Sequence, residues 1–319
     1  MASLAEESAL LRELDALAAS GRHREVLDRL GTLPAAILES RTRFALLAAE
    51  TNGRLGDLVA GARWAETALS LARARGERHA ELRALNYQGA IALRRGDVAE
   101  AERRLNGALE LARALHDHAT QARCFNNLGI LANMRGDQRA ALANYRLAIA
   151  EYQQAGLTRG IAETQHNIGI SLRDLGDPRA ALGAAEDALR LAAEAGDERL
   201  ATLAATGRAE LHLLLGDSPL AAVELERAAA RYTEIGFRAG LAEVRRVQAG
   251  VTRGRGRLDE AVRLLTEASR LAADHDLTEV RADIERDLAV TFAELGDAAG
   301  ADAARSRARE LYARLGVRR

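Results

Sequence analysis

Residues 81–120 read ELRALNYQGAIALRRGDVAEAERRLNGALELARALHDHAT, and residues 121–160 read QARCFNNLGILANMRGDQRAALANYRLAIAEYQQAGLTRG. Laid one above the other, the two lines share a small residue (Gly89, Gly129), a turn pair (Gly96-Asp97, Gly136-Asp137) and two alanines (Ala101 and Ala108, Ala141 and Ala148). The register continues outward in both directions without an insertion. Glycine stands at 56, 96, 136, 176, 216, 256 and 296, and aspartate follows it everywhere except at Arg257. A fixed period of this length means a stack of small identical units, each burying its apolar face against the next.

Three further columns stay small in every row. Seven residues before the glycine stand Ala49, Gly89, Gly129, Gly169, Ala209, Ala249 and Ala289; five after it stand Gly61, Ala101, Ala141, Ala181, Ala221, Ala261 and Ala301. Twelve after it come Ala68, Ala108, Ala148, Ala188, Ala228, Ala268 and Ala308. Small residues at such spacing let two helices approach closely. The glycine suits the left-handed turn that ends the first helix, and the aspartate suits the N-cap of the second. Pro178 falls at a first helical position, where its missing N–H costs nothing. Each unit is therefore predicted to be a helical hairpin.

These columns resemble the tetratricopeptide repeat over residues 41 to 319, in seven units: 41–80, 81–120, 121–160, 161–200, 201–240, 241–280 and 281–319. The proline that usually closes a 34-residue repeat is missing, and leucine is frequent where the second helix runs on (Leu71, Leu111, Leu191, Leu271, Leu311). The longer repeats of kinesin light chains, spindle-orientation adaptors and bacterial maltose-activator-like regulators are similar. What the resemblance implies is an all-α, right-handed α-solenoid (superhelix) of antiparallel helical hairpins whose first helices line a concave groove. It departs from the pattern where Gln165, Arg245 and Glu285 replace the large residue present as Leu85 and Phe125. In the sixth unit, Gly254, Gly256 and an uncapped Arg257 predict a frayed hairpin.

Residues 1–40 fall out of register and are expected to form a capping hairpin around Gly21, with Pro34 before the first full unit. Arg305 and Arg309 stand in columns that are mostly apolar elsewhere, giving the last helix the polar outer face of a terminal repeat and the expectation of a whole protein.

Composition narrows the chemistry. The chain has 319 residues, 3% aromatics, three prolines and one cysteine, Cys124, with net charge −1. The near-zero balance gives no bulk attraction to nucleic acid or an anionic membrane, and no stretch is apolar for long enough to span a bilayer. A lone cysteine excludes an intrachain disulfide and suits a reducing, cytoplasmic setting. All 45 basic residues are arginine, which rules out a P-loop, Schiff-base or kinase lysine.

Function is then sought in the groove. By three-and-four spacing, repeat positions 2, 5, 6, 9, 12 and 13 of the first helices share its wall. Position 2 gives Arg43, Arg83 and Arg123, then Glu163, Leu203, Glu243 and Asp283; position 5 gives Asn86, Asn126, His166, Thr206, Arg246 and Arg286. Position 6 gives Tyr87, Asn127, Asn167, Gly207, Val247 and Asp287, and position 12 adds Asn133 and Arg173. Asparagine is a poor helix former, so a cluster of it runs against local propensity. Its amide both donates to and accepts from a peptide backbone, and an arginine fork pairs with carboxylates. Related repeats use position-2 and position-6 side chains in this way. The candidate binding residues are Arg83, Asn86, Arg123, Asn126, Asn127, Asn133, His166, Asn167 and Arg173. The competing reading of the amides is a structural ladder between helices.

The expected partner is a peptide segment or protein, with an acidic stretch fitting the arginine-rich end and a basic one the acidic end. The alternative is a ligand-sensing subunit acting on a separate effector. No enzyme, cofactor or metal is expected. Arg95-Gly96-Asp97 and Arg135-Gly136-Asp137 read as repeat turns rather than adhesion motifs. His116-Asp117-His118 and Asp274-His275-Asp276 are poor metal sites, Gly254-Arg255-Gly256 lacks the strand of a phosphate loop, and Cys124 and Trp64 read as packing.

Overall fold

Glycine at the turn and aspartate after it behave as their chemistry predicts. In the computed structural model, which describes residues 4–19, 22–55, 57–274 and 277–315, Gly96, Gly136, Gly176, Gly216, Gly256 and Gly296 all adopt positive φ, from 75° to 91°. The carboxylates of Asp57, Asp97, Asp137, Asp177, Asp217 and Asp297 each accept the amide N–H three residues on. Gly21, Gly56, His275 and Asp276 lie outside the described residues.

Among the described residues the chain forms seventeen α-helices and no strand. It divides into two compact units, Met1–Asn127 and Leu128–Arg319. The first unit holds α1 (Leu4–Ala19), α2 (His23–Gly31), α3 (Ala35–Ser40), α4 (Thr42–Leu55), α5 (Leu58–Arg75), α6 (Arg78–Arg94), α7 (Val98–Ala114) and the start of α8 (His118–Met134). The second holds the rest of α8, then α9 (Gln138–Gln154), α10 (Thr158–Asp174), α11 (Pro178–Glu194), α12 (Glu198–Leu214) and α13 (Ser218–Glu234). It ends with α14 (Arg238–Gly254), α15 (Leu258–Asp274), α16 (Thr278–Glu294) and α17 (Ala298–Arg314).

Within each unit neighbours in sequence are neighbours in space. Helices α4 to α7 pack in chain order, α9 to α17 likewise, and first helices also touch the next first helix: α4 on α6, α10 on α12, α12 on α14, α14 on α16. This nearest-neighbour pattern is that of a helical-hairpin stack. Pro34 caps a third short N-terminal helix, α3, where a simple hairpin is the sequence expectation. In the sixth repeat α14 and α15 keep the seventeen-residue length of the helices from α6 onward despite Gly254 and the missing cap.

The three small columns are the spine of the packing. Ala101, Ala141, Ala181, Ala221 and Ala261 are fully buried, as are Ala68, Ala108, Ala148, Ala188 and Ala268. In the remaining small column the residue is matched to what lies across the hairpin. A Cβ at Gly129 would fall 2.6 Å from Cδ1 of the Tyr145 ring, and one at Gly89 would fall 2.7 Å from Leu105. At Gly169 the opposite helix offers Ala181, Ala184 and Ala185, and the nearest atom, the Ala181 carbonyl oxygen, stands at 3.5 Å. Polar residues in the large column also find partners: Glu285, 3% exposed, accepts from Ser269 Oγ at 3.0 Å and Arg307 Nε at 2.8 Å.

A second left-handed column links one hairpin to the next, at Gly76, His116, Gly156, Gly196 and Gly236. Asp117 and Asp197 follow two of these positions and cap the next first helix. His116, with φ 53°, is the one non-glycine residue at positive φ among the described residues.

Candidate functional site

Burial sorts the candidate columns by position. Position 2 is solvated: Arg43 and Arg123 are exposed, and Arg83, Glu163, Glu243 and Asp283 are half-buried. Position 5 is the more enclosed column: Asn86, Asn126, Thr206 and Arg246 are buried, while His166 is half-buried and Arg286 exposed. Asn86 and Asn126 each keep only 9% of their surface. The Asn86 carbonyl oxygen accepts from Cys124 Sγ at 3.8 Å, tying α6 to α8. Both amides are therefore enclosed among packed helices. Cys124 itself is buried, and burial pushes its thiol up to about 12, which leaves it unreactive.

Position 6 is the more open column. In the first unit Tyr87 and Asn127 are half-buried, with Arg83 3.6 Å from Glu50 and Arg94 donating to the Gly53 carbonyl at 2.5 Å. In the second unit Asn167 is half-buried beside His166, and Asn133 accepts from Ser171 Oγ at 3.2 Å. The asparagines at these places keep part of their residue surface toward solvent.

The second unit adds a chain of charges across successive first helices. Arg173 on α10 donates to Glu210 on α12 at 2.7 Å, and Arg246 on α14 donates to the other Glu210 oxygen at 2.6 Å. Arg246 also reaches Glu243 at 2.6 Å and Asp287 on α16 at 3.1 Å, while retaining 8% exposure. Arg286 pairs with Asp283 at 2.9 Å, and Tyr312 Oη donates to the same carboxylate at 2.5 Å. Burial works against the Arg246 charge, yet Glu210 and Glu243 outweigh it and hold its pKa well above the ordinary value. Burial likewise opposes the Glu210 carboxylate, but Arg246 and Arg173 overcome it and push its pKa down. His166 goes the other way. Burial first, then the Arg173 cation, lowers its pKa to about 4, so the imidazole is neutral near pH 7.

Seven of the nine candidates thus fall on half-buried or exposed places and two inside the packing. The hub, Arg246, stands in a candidate column but outside the candidate set. Its signal in the sequence is the alternation Arg173, Glu210, Arg246, Asp287, with steps of 37, 36 and 41 residues, each close to one repeat. No group of three or more metal-ligating side chains occurs among the described residues. No helix of the described residues is long and apolar enough to cross a membrane.

A family model described as tetratricopeptide repeat matches residues 80–154. Residues 80–154 carry tetratricopeptide repeat sequence. No curated protein matches it significantly. Among solved structures it is similar to a Rap protein complexed with competence and sporulation factor, with TM-score 0.79, 17% identity, and 92% of this chain and 80% of that one covered. It is similar as well to the Rap conjugation gene regulator of plasmid pLS20 in complex with the Phr* peptide, with TM-score 0.70, 14% identity and coverage of 86% and 74%. A third structure is NprR in complex with its cognate peptide NprX, with TM-score 0.66, 16% identity and coverage of 95% and 89%. At these identities the likeness concerns the tetratricopeptide fold.

Proposed function

We propose that this chain is a non-catalytic repeat scaffold that holds an extended peptide segment of a partner against the solvent-facing side of its first helices. The observation that carries the reading is a half-open position-6 asparagine in each unit: Asn127, with Arg83 and Arg123 at position 2, in the first, and Asn167, with Arg173 on the same helix, in the second. An amide grips a main chain whatever its side chains, and a guanidinium adds preference for a carboxylate. Two structures of similar fold hold a peptide, Phr* in one and NprX in the other, and a third holds competence and sporulation factor. Enclosed Asn86 and Asn126 then support the wall from behind rather than touching the ligand.

The test is the double substitution Asn127→Ala and Asn167→Ala, assayed against peptides selected on the wild-type chain from a random displayed library. Affinity is expected to fall by about ten-fold or more, or about 1.4 kcal/mol, with far-ultraviolet helicity intact. Equal affinity in the variant would remove the grip from these amides.

A second reading, a ligand-responsive regulatory subunit acting on a separate effector, is favoured by the charge chain through Arg246. Ion pairs joining four consecutive first helices couple their spacing to one another, so a ligand that competes for Glu210 would shift them together. A ligand-dependent change in radius of gyration, measured by small-angle scattering, separates this reading from a rigid scaffold.

A further inference from the structure

Down the position-6 column, one place in the second unit carries no side chain. Gly207 lies mid-helix in α12, half-exposed, where Asn167 precedes it and Val247 follows it one repeat away. A glycine there is a poorer helix former than alanine, so something must compensate for its presence. Packing does not require it. A Cβ at Gly207 would meet only His166, at 3.4 Å from Cε1 and 3.6 Å from Nδ1, ordinary contact distances. The contrast is with Gly129, Gly160 and Gly240, where an aromatic ring occupies the Cβ place. Gly53, Gly107, Gly183 and Gly254 are also unconstrained, but nothing lies within 4 Å of them. Gly207 has a side chain of the preceding hairpin beneath its bare backbone; Gly250 shares that, but its neighbour is the apolar Leu213 at a tight 3.0 Å, whereas Gly207 has the polar ring of His166 at ordinary contact.

That floor is polar and uncharged. His166 is neutral near pH 7 because burial and Arg173 disfavour its protonation. The Arg173–Glu210 pair stands beside it and fixes both charges on each other, at 2.7 Å. Leu203, half-buried, lies one turn before Gly207 on the same helix face. A notch of this make-up offers backbone-level access to a ring that both donates and accepts, with an apolar shoulder and no unbalanced charge at the floor. A main-chain peptide group is the ligand chemistry that fits: neutral, with one donor and one acceptor.

We propose that Gly207 is the close-approach point of the ligand, where the extended backbone of the bound peptide lies against α12 over His166. This deepens the peptide-binding reading and rests on it. The mechanism is steric: without a Cβ, two backbones approach more closely than any other residue permits. Even one methyl group at this position lifts the peptide off the floor.

Four full-length proteins decide it: wild type, Gly207→Ala, Gly207→Leu, and the Asn127→Ala/Asn167→Ala double variant. The probe is the set of peptides enriched on the wild type from a random displayed library, resynthesised with a fluorophore and titrated by anisotropy. Both Gly207 variants are expected to bind about ten-fold more weakly or worse, with the thermal midpoint of Gly207→Ala equal to or above that of the wild type. Loss of binding with no loss of stability is a pattern a packing role does not give. If the double variant loses affinity while both Gly207 variants bind within about two-fold of the wild type, the close approach is refuted and peptide binding stands. A lowered midpoint in Gly207→Ala makes the glycine structural and also refutes it. If no peptide is enriched on the wild type over a blank surface, the peptide reading and this inference fall together.

Discussion

His116 is a single residue in the wrong conformation for its type. It sits at φ 53°, in a column where Gly76, Gly156, Gly196 and Gly236 adopt the same left-handed turn without a Cβ penalty. It is exposed, so His116→Gly removes strain without removing packing. Denaturant titration should report a gain of about 0.5–1 kcal/mol; a loss would mean the imidazole makes a contact worth more than the strain. The same column explains a gap in what the sequence discloses. The Gly-Asp column is unbroken enough to see at once, whereas this one is interrupted at its second member. The paired glycines Gly129 and Gly169 look equivalent in sequence, yet Tyr145 stands against one and only alanines against the other. Gly129→Ala should destabilise by about 1–3 kcal/mol, as overpacking does, while Gly169→Ala should be neutral or stabilising by up to about 1 kcal/mol from helix propensity. Equal effects in melting experiments would contradict the matched packing. His166 adds a pH signature. Its pKa is about 4 folded against an ordinary 6.5, so between those values the unfolded chain holds more protons and stability falls as pH drops. Arg173 disfavours its protonation and Glu210 favours it; the depressed pKa of Glu210 adds a further loss only as that carboxylate protonates, at lower pH. His166→Asn should flatten the pH 4–6.5 dependence measured by denaturant midpoints, and an unchanged slope would place its origin elsewhere.

At the level of the element, the repeat reads from its ends inward. Six aspartates caught as N-caps by their spacing all accept the expected amide, because a cap is a local interaction that needs no tertiary context. Arg257 is the exception that tests the rule. Its guanidinium pairs with Glu260 at 2.9 Å, both largely solvated, an interaction of little worth. Arg257→Asp should supply the missing cap and raise stability by about 1 kcal/mol, read as an increase in denaturation midpoint. A decrease would show that the Arg257–Glu260 pair matters more than the unsatisfied amides. What spacing could not tell is which way each wall column turns. Positions 5 and 6 are adjacent in sequence, and a helix rotation of one residue carries a side chain from the packing to the solvent. Asn86 and Asn126 fall on the enclosed side of that step, Asn127 and Asn167 on the open side. A helical wheel gives the columns, while burial depends on how closely the next hairpin approaches.

At the scale of the molecule, stacking within each unit means that the unit's stability is a sum of local hairpins and their nearest-neighbour contacts rather than one cooperative core. The period disclosed the stacking of helical hairpins within each unit, though not the short helix α3 before the first of them. The charge chain through Arg246 stayed hidden because its members are dispersed over four repeats and become neighbours only when the hairpins stack. Its energetics follow from where the charges end. Arg246 is enclosed and serves three carboxylates on α12, α14 and α16, so Arg246→Ala removes the cation they share and leaves Glu210 with Arg173 alone, Asp287 with Arg286 alone, and Glu243 without its Arg246 bonds. Removing one side of a buried ion pair costs about 3–5 kcal/mol, with the lower end apt here because the carboxylates are half-solvated. Glu210→Gln leaves Arg246 with Glu243 and Asp287 and Arg173 with Asp174, so its cost should be smaller, about 1–2 kcal/mol. Because contacts run only between neighbours, the damage should stay local. Hydrogen exchange of Arg246→Ala should accelerate amides in α12, α14 and α16 while α9 keeps its wild-type protection. Uniform acceleration from α9 to α17 would mean that the second unit opens as a single cooperative body, and the nearest-neighbour picture would fail there.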